Sequence, residues 1–562
     1  MNKQESPLRW LSRTAGMDKL YIALLMLAQM GQGICGVLYA VFLRSIIDEA
    51  VAGNRAGLIR GALSLLVLVL IQLALRAAIR FLNEFCASDL ENRLKKRLFS
   101  CLLRRDYAAV TAVHSGEWMN RLTNDTVVVA KAATTLLPSF AGMVIRLTGA
   151  LVAIVILEPA FAAVLVPGGL LMILLTYCFR RVLKRLHKRI QEADGKLRIF
   201  LQERLGSLMV VRSFGAEERC EEQGAARMAE HRRRRMRRNA VSNLCNLGFG
   251  VVMQGAYLGS AIYCAFGLLR GTMSYGTLMA ILQLVGQIQS PFANLSGLLP
   301  EYYGMLASAE RLMEAERFPE EETGSREQEE ILRFYEEDFV GLGLDRACFT
   351  YRPPVREGGE TVMPVVLRDL SLDLRKGEFV AFTGHSGSGK STVLKLLMSL
   401  YPLDSGQRYL DSREGRAPLD ASWRGLFAYV PQGNELLSGS IREIVAFGDE
   451  AAMAREEELR AALDIACAWD FVSGLEKGLD TLLGEGGAGL SEGQMQRIAI
   501  ARAVFSRRPI LLLDEATGSL DGETEKRVLE RLRAMTDRTV VIVTHRPAAL
   551  GLCDKRIDLA GE

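Results

Sequence analysis

Eight residues in the second half of the chain have the types and spacing to hold a polyphosphate. Gly384, His385, Ser386, Gly387, Ser388, Gly389, Lys390 and Ser391 fit the P-loop pattern G-x-x-x-x-G-K-[ST] at every required position. A short β-type run, Glu378 to Thr383, leads into them, and a helical run, Thr392 to Leu400, follows and stops at Pro402. The glycines let successive N–H groups point into one concavity, and the helix that starts there adds its positive dipole end. Lys390 then reaches the β- and γ-phosphates as a point charge, the Ser391 hydroxyl ligates Mg²⁺, and Thr392 completes the expected cradle. Further on, the apolar strand Ile510 to Leu513 ends in Asp514 and Glu515. A buried strand delivers Asp514 to the Mg²⁺ water shell, and Glu515, one residue later, is suited to polarising an attacking water as general base. Acidic strand ends are common by themselves; downstream of a P-loop, this pair reads as a Walker B motif.

Leu490-Ser491-Glu492-Gly493-Gln494, followed by the helical Met495 to Ala499, resembles LSGGQ, the signature of ATP-binding cassette (ABC) transporters. With it the chain resembles a bacterial half-transporter of the exporter type, membrane half and cassette fused. The resemblance implies that Leu490, Ser491, Gly493, Gln494 and the helix start present donors to a γ-phosphate held on a second copy of the domain. The sequence departs from the family at Glu492, where glycine is usual; a carboxylate there either weakens nucleotide binding or points to solvent. The same resemblance assigns Tyr351, in Cys348-Phe349-Thr350-Tyr351, to stacking on adenine. It assigns Gln432, after Tyr429-Val430-Pro431, to the Q-loop that links Mg²⁺ and water to the membrane helices. Asp521, in Ser519-Leu520-Asp521, falls to the D-loop, and His545, in Val543-Thr544-His545-Arg546, to the switch at the γ-phosphate. Read without the resemblance, an aromatic in an early strand is core and a lone histidine after a buried strand is structural.

These residues need a scaffold, and 562 residues are too many for one domain of usual size. The first three hundred or so hold nearly all the long apolar runs; the remainder has the composition of an α/β domain. A net charge of +4, from 69 basic and 65 acidic residues, says little about partners, so the placement of charge matters more. Ten cysteines scattered singly, with no C-x-x-C pair, exclude a disulfide framework and a zinc site.

Six apolar runs, at about Lys19 to Leu43, Gly57 to Leu82, Ala133 to Leu157, Ala160 to Phe179, Asn243 to Leu269 and Gly276 to Leu299, each reach the roughly 20 residues needed to cross a bilayer core. The first lacks a small-residue cleavage site and is expected to stay in the membrane. Loops around Glu91 to Arg105 and Arg180 to Arg238 are dense in Lys and Arg, which keeps them cytosolic. Within them, Arg105 to Asp125 and Val210 to Arg219 match the family's coupling segments. The run Arg232 to Arg238 reads as a topology anchor that meets anionic headgroups rather than as a nucleic-acid site.

The expected architecture is therefore multidomain. An N-terminal elbow segment (1–17) precedes an α-helical membrane domain of six transmembrane helices (18–317), an acidic linker (318–339) and an α/β P-loop ATPase domain (340–562). The expected function is ATP-driven export by alternating access with ATP and Mg²⁺, in the cytoplasmic membrane of a bacterium, both termini cytosolic and no nucleic acid involved. One cassette cannot place its own signature on its own nucleotide, and no element is degenerate, so a homodimer is expected; two intact but different chains are the alternative. An exporter-fold importer, as for siderophores, and an ATP-gated regulatory membrane protein are the competing readings, and Glu515 with His545 argues for a pump. Peptide, lipid and amphipathic small molecule all remain open as substrate. Arg146 lies midway in its apolar run, where an arginine rarely faces lipid. With Gln283, Gln287 and Asn294, which share one helical face, it either lines a substrate cavity or holds helices together.

Overall fold

A computed structural model describes residues 6–321, 326–351, 365–433, 436–484, 487 and 489–559; the side chains of 164–181, 183–184, 187–188, 249, 289–297, 299, 450, 452 and 548 lie outside that description. The chain divides into two compact units, Met1–Arg97 with Asn120–Met313, and Leu98–Met119 with Glu314–Glu562.

Helices build the first unit. The short α1 (Pro7–Thr14) starts at Ser6, whose hydroxyl accepts from the Arg9 N–H, with Pro7 in the first turn, where its missing N–H costs nothing. It buries Trp10 while Arg9 and Arg13 stay exposed. Next in chain order are α2 (Asp18–Val51), α3 (Arg55–Arg104), α4 (Tyr107–Thr111), α5 (Ser115–Asn120), α6 (Thr126–Leu157), α7 (Pro159–Gly206), α8 (Leu208–Ser213), α9 (Glu217–Leu269) and α10 (Tyr275–Arg317), of which α4, α5 up to Met119 and the ends of α3 and α10 belong to the second unit. Six of these contain the six apolar runs, and most continue well past them: α3 has 50 residues and α9 has 53, about 75–80 Å at 1.5 Å per residue. Among the described residues, Asp18–Val51, Arg55–Arg104, Ser115–Leu157 and Glu217–Leu269 are long and apolar enough to cross a membrane. Leu63, Leu70, Phe81 and Ile156 stand exposed on them, which suits lipid and not water. A core of Ala40, Ala150, Ile154, Phe161, Cys264 and Ile281 gathers residues from α2, α6, α7, α9 and α10.

In the second unit, α11 (Gln328–Glu337) precedes β1 (Phe339–Phe349), β2 (Leu367–Arg375) and β3 (Phe379–Thr383). After them run α12 (Lys390–Leu397), β4 (Ser405–Ser412), β5 (Gly415–Pro418), β6 (Phe427–Val430), β7 (Gly439–Ser440), α13 (Ile441–Val445), α14 (Glu456–Ile465) and α15 (Trp469–Ser473). The chain continues through β8 (Leu482–Leu483), α16 (Glu492–Phe505), β9 (Ile510–Asp514), α17 (Gly522–Arg533), β10 (Thr539–Val543) and β11 (Lys555–Asp558). A parallel sheet runs β11-β3-β10-β9-β6, and an antiparallel one runs β2-β1-β4-β5. The inner parallel strands β3, β10 and β9 are nearly all apolar because both faces are covered, whereas the edge strand β11 (KRID) is not. Phe379, Ala381, Leu511, Leu513, Val540 and Ile542 face a core shared with α16 and α17. The alternate residues Val380, Phe382, Ile510, Leu512, Val541 and Val543 face one shared with α11 and α12.

The acidic stretch before β1, expected to be a solvated linker, is partly a packed element. Within it α11 buries Ile331 and Tyr335, and the Tyr335 hydroxyl lies 2.9 Å from Thr539 Oγ1. Their i, i+4 spacing makes an apolar stripe that the surrounding glutamates obscured. Residues 322–325 of that stretch lie outside the description.

Candidate functional site

The functional loops all leave the carboxyl ends of four adjacent parallel strands, the edge at which open α/β sheets bind ligands. From β3 comes the P-loop, from β10 His545, from β9 Asp514 and Glu515, and from β6 Gln432. Because β10 lies between β3 and β9, the histidine emerges between the P-loop and the two carboxylates.

Gly384, Gly387 and Gly389 hold φ of 134°, 85° and 90°, a region open to glycine and strained for other residues, so the loop can curl its N–H groups inward. Lys390 is buried, and its Nζ donates to the carbonyls of Gly384 and His385 at 2.8 Å each. Ser388 Oγ is buried without a described hydrogen-bond partner, a polar atom that a phosphate oxygen would satisfy. The Ser391 hydroxyl donates to Asp514 Oδ1 at 2.9 Å, and the Tyr429 hydroxyl donates to Asp514 Oδ2 at 3.0 Å. Burial pushes the Asp514 carboxyl above the usual carboxylate range, and these two hydrogen bonds pull against it. A hydroxyl and a carboxylate held together beside a phosphate loop are the donor set that hard cations prefer, so the residues fit Mg²⁺ with a nucleoside triphosphate.

Glu515 breaks out of β9 with φ of 50°, a left-handed conformation that costs a non-glycine residue of order 1–3 kcal/mol. The turn brings its Oε2 to 2.8 Å from Gln432 Nε2. Tyr351 is half-buried, with its hydroxyl 3.0 Å from Thr392 Oγ1. His545 is exposed.

The signature residues carry a local load as well. Ser491 Oγ accepts from the Gln494 N–H and Gln494 Oε1 accepts from the Ser491 N–H, a capping box that starts α16. A Cβ on Gly493 would lie 2.9 Å from the Ser519 carbonyl, so close packing against the next loop demands glycine there. Leu490 is half-buried, and Glu492 is exposed in the first turn of α16, where the helix dipole favours a carboxylate. Asp521 caps α17 by accepting from the Thr524 N–H at 2.9 Å, which holds its carboxyl below the usual range.

Several residues that bind this edge together were not singled out from the sequence. Buried Gln496 accepts from the Ser519 N–H at 3.0 Å and donates to Ser519 Oγ at 3.3 Å, tying the signature helix to the D-loop. Arg546 donates to the carbonyls of Leu520 (2.8 Å) and Gly518 (2.5 Å) and to Glu525 Oε2 (2.9 Å), while buried Glu525 also accepts from Thr517. The residue after His545 is thereby bolted to the loop after Glu515. Tyr401 packs edge-on against Tyr351, 5.4 Å between centroids, and against Tyr107 of α4 at 5.6 Å; it also hydrogen-bonds Thr111. Only the polar residue inside the apolar face of α16, Gln496, left a signal in the sequence.

Residues 22–292 match the family model for the ABC transporter transmembrane region, and residues 367–518 match the ABC transporter model. The chain belongs to the ABC transporter family. Among its relatives is the ATP-dependent lipid A-core flippase of Photobacterium profundum, 28% identical over 86% of this chain and 80% of the flippase. Another is the cyclolysin secretion/processing ATP-binding protein of Bordetella pertussis, 29% identical over 93% of this chain and 72% of that protein. The fold is shared with a bacterial Atm1-family ABC exporter solved with ATP bound, at a TM-score of 0.77 and 22% identity over 98% of this chain and 94% of that one.

This ABC transporter is thus a multi-pass membrane protein whose cassette binds nucleotide and couples ATP hydrolysis to transport. In its membrane unit, Arg146 of α6 is half-buried and makes no hydrogen bond or ion pair among the described residues. Arg76 of α3 lies within electrostatic reach of it. Gln287 Nε2 donates to the Gly36 carbonyl at 2.5 Å, tying α10 to α2, while its Oε1 is buried without a described partner. Gln283 is exposed, and the side chain of Asn294 lies outside the described residues.

Proposed function

We propose that the protein is a homodimeric, Mg²⁺-dependent exporter that moves an anionic amphiphile across the cytoplasmic membrane of a bacterium by alternating access. One observation carries the hydrolytic part: Ser391, Asp514, Glu515 and Gln432 are hydrogen-bonded in two adjacent pairs at the end of β9. Ser391 and Asp514 would hold Mg²⁺, which neutralises charge building on the β- and γ-oxygens. Lys390 and the P-loop amides hold the phosphates, and Glu515, oriented by Gln432, takes the proton of the attacking water. Tyr351 stacks on the base, His545 faces the γ-phosphate, and Ser491 with Gly493 closes the site on the second chain.

The relatives do not choose the substrate, since one is named for lipid A-core and another for a secreted cyclolysin. Arg146 supports the choice made here. A cation in a span costs at least about 2.5 kcal/mol on insertion scales unless something polar meets it. With a second arginine nearby and no acid paired with Arg146 among the described residues, an anionic group on the substrate answers that cost. Membrane half ahead of cassette is the exporter order, which supports the outward direction.

The test is ATP hydrolysis by the purified chain in lipid nanodiscs, titrated with phosphate-bearing, zwitterionic and cationic amphiphiles, with movement followed in sealed vesicles. Several-fold stimulation confined to the phosphate-bearing compounds, and lost with EDTA, is expected. Stimulation by cationic amphiphiles alone, or an ATP-gated conductance without turnover, overturns the reading.

A further inference from the structure

The hairpin of α7 and α9 fixes the relative height of two arginine-rich stretches. Along it Phe200 meets Gly224 and Arg227, Asp194 meets His231, and Arg234 donates to the Arg189 carbonyl at 3.1 Å. Continued by the same antiparallel register, Arg185 stands level with Arg238, and the apolar runs of both helices begin at one height, near Phe179 and Leu244. Between that height and Arg189/Arg234 neither helix carries a carboxylate: residues 180–191 and 232–243 contain no Asp or Glu, but twelve Lys and Arg. Acids begin only beyond the band: Asp194 pairs with Arg198 and His231 and Glu230 with Arg234, while Glu192 stands exposed at its edge.

Arg234 apart, the arginines in the band whose side chains are described are not engaged in this way. Arg185, Arg232, Arg233, Arg235 and Arg237 are exposed, and none has an ion pair among the described residues. On α9 they surround the helix rather than form one stripe, so no single packed partner could cover them. Arg238 and Arg237 lie six and seven residues from the start of the apolar run at Leu244, about 9–10 Å along the axis, at headgroup depth. The remainder fall within roughly one further Debye length of about 10 Å.

We propose that this collar is a binding surface for anionic phospholipid headgroups of the leaflet on the side where α10 leaves the membrane, separate from the substrate path through Arg146. A one-sided collar of unpaired guanidinium groups at headgroup depth fits phosphate bidentately and at many angles. Nucleic acid would need those groups displayed clear of the membrane, which their depth does not provide.

The experiment compares the full chain in nanodiscs of phosphatidylcholine alone with nanodiscs containing phosphatidylglycerol, reading the melting temperature and, by native mass spectrometry, the phosphatidylglycerol retained. Wild type is expected to gain thermal stability and retain phosphatidylglycerol, with both effects weakened by raised salt. Changing Arg232, Arg233, Arg235, Arg237 and Arg238 together to Gln removes both, whereas the same five changed to Lys keeps most of each. Arg146→Ala keeps the phosphatidylglycerol dependence, which separates the collar from the substrate site; its loss in that variant overturns the proposal. So does a Gln variant that still responds like wild type, or a wild type indifferent to phosphatidylglycerol that binds a single-stranded oligonucleotide instead. Where the Gln variant does not insert, a salt-insensitive phosphatidylglycerol response of wild type is the overturning result.

Discussion

The cassette and the membrane unit treat their buried polar groups differently. In the cassette the buried carboxylates and the buried amide are answered inside the fold, Asp514 by Ser391 and Tyr429, Glu525 by Thr517 and Arg546, Gln496 by Ser519, while Ser388 Oγ is buried without a described partner. At the foot of the membrane unit the same rule holds, for Asp125 is fully buried and accepts from Ser308 at 3.0 Å and from Arg311 at 2.8 and 2.6 Å. That pair sits at a π-helical turn, Arg121–Asp125, beside the point where the chain passes between units. Midway along α6 the rule lapses, and Arg146 has no described partner. On the function proposed above, the site for one fixed chemistry is organised in advance by the fold, while the span leaves Arg146 for the cargo to meet.

Three substitutions break or sharpen this contrast. The largest effect is expected from Glu515→Gln, which keeps the shape of the site and its contact with Gln432 but removes the base. Turnover should fall by about 10²–10⁴-fold with ATP binding retained, read by steady-state hydrolysis and nucleotide trapping. Hydrolysis near wild type would mean that the cassette is not organised around that carboxylate. Next comes Arg146→Ala, expected to give a folded chain whose ATPase no longer responds to phosphate-bearing amphiphiles. A lowered melting temperature with the response intact would place Arg146 among the internally satisfied groups and erase the contrast. The smallest is Glu525→Ala, which strands Thr517 and one bond of Arg546. A loss of about 1–3 kcal/mol is expected, or about 2–10 °C in cassette melting. An unchanged melting temperature would show that the Arg546 bonds to Gly518 and Leu520 hold the loop alone.

How far the site could be read in advance follows the same division. Lys390, Ser391, Asp514 and Glu515 were legible because their work is done by residues adjacent in the chain on a strand or helix end, and local spacing encodes that. Ser491, Gln494 and Asp521 were legible only as family motifs; that each also caps a helix emerged from the backbone geometry around it. Gln287 was placed on a cavity-facing stripe by its period, yet its amide is used against Gly36 of α2. Period assigns a face of a helix and is silent on which neighbour occupies it. The linker failed for another reason, since charge density outweighed the pair Ile331 and Tyr335 that seats α11.

From the sequence alone, then, came two chemistries and their order: six apolar runs long enough to cross a bilayer, then a phosphate loop, a signature and two carboxylates. Each depends on residues close together in the chain, where composition and period act directly. Only the tertiary structure decided what joins them. It set β10 between β3 and β9, so that His545 emerges between the phosphate loop and Glu515, and it tied Arg546 to Glu525 across 21 residues and Gln496 to Ser519 across 23. It also set Tyr107 against Tyr401, and Tyr401 against Tyr351. Such pairings are chosen by strand order and by packing of side chains distant in the chain, and no local period carries that information.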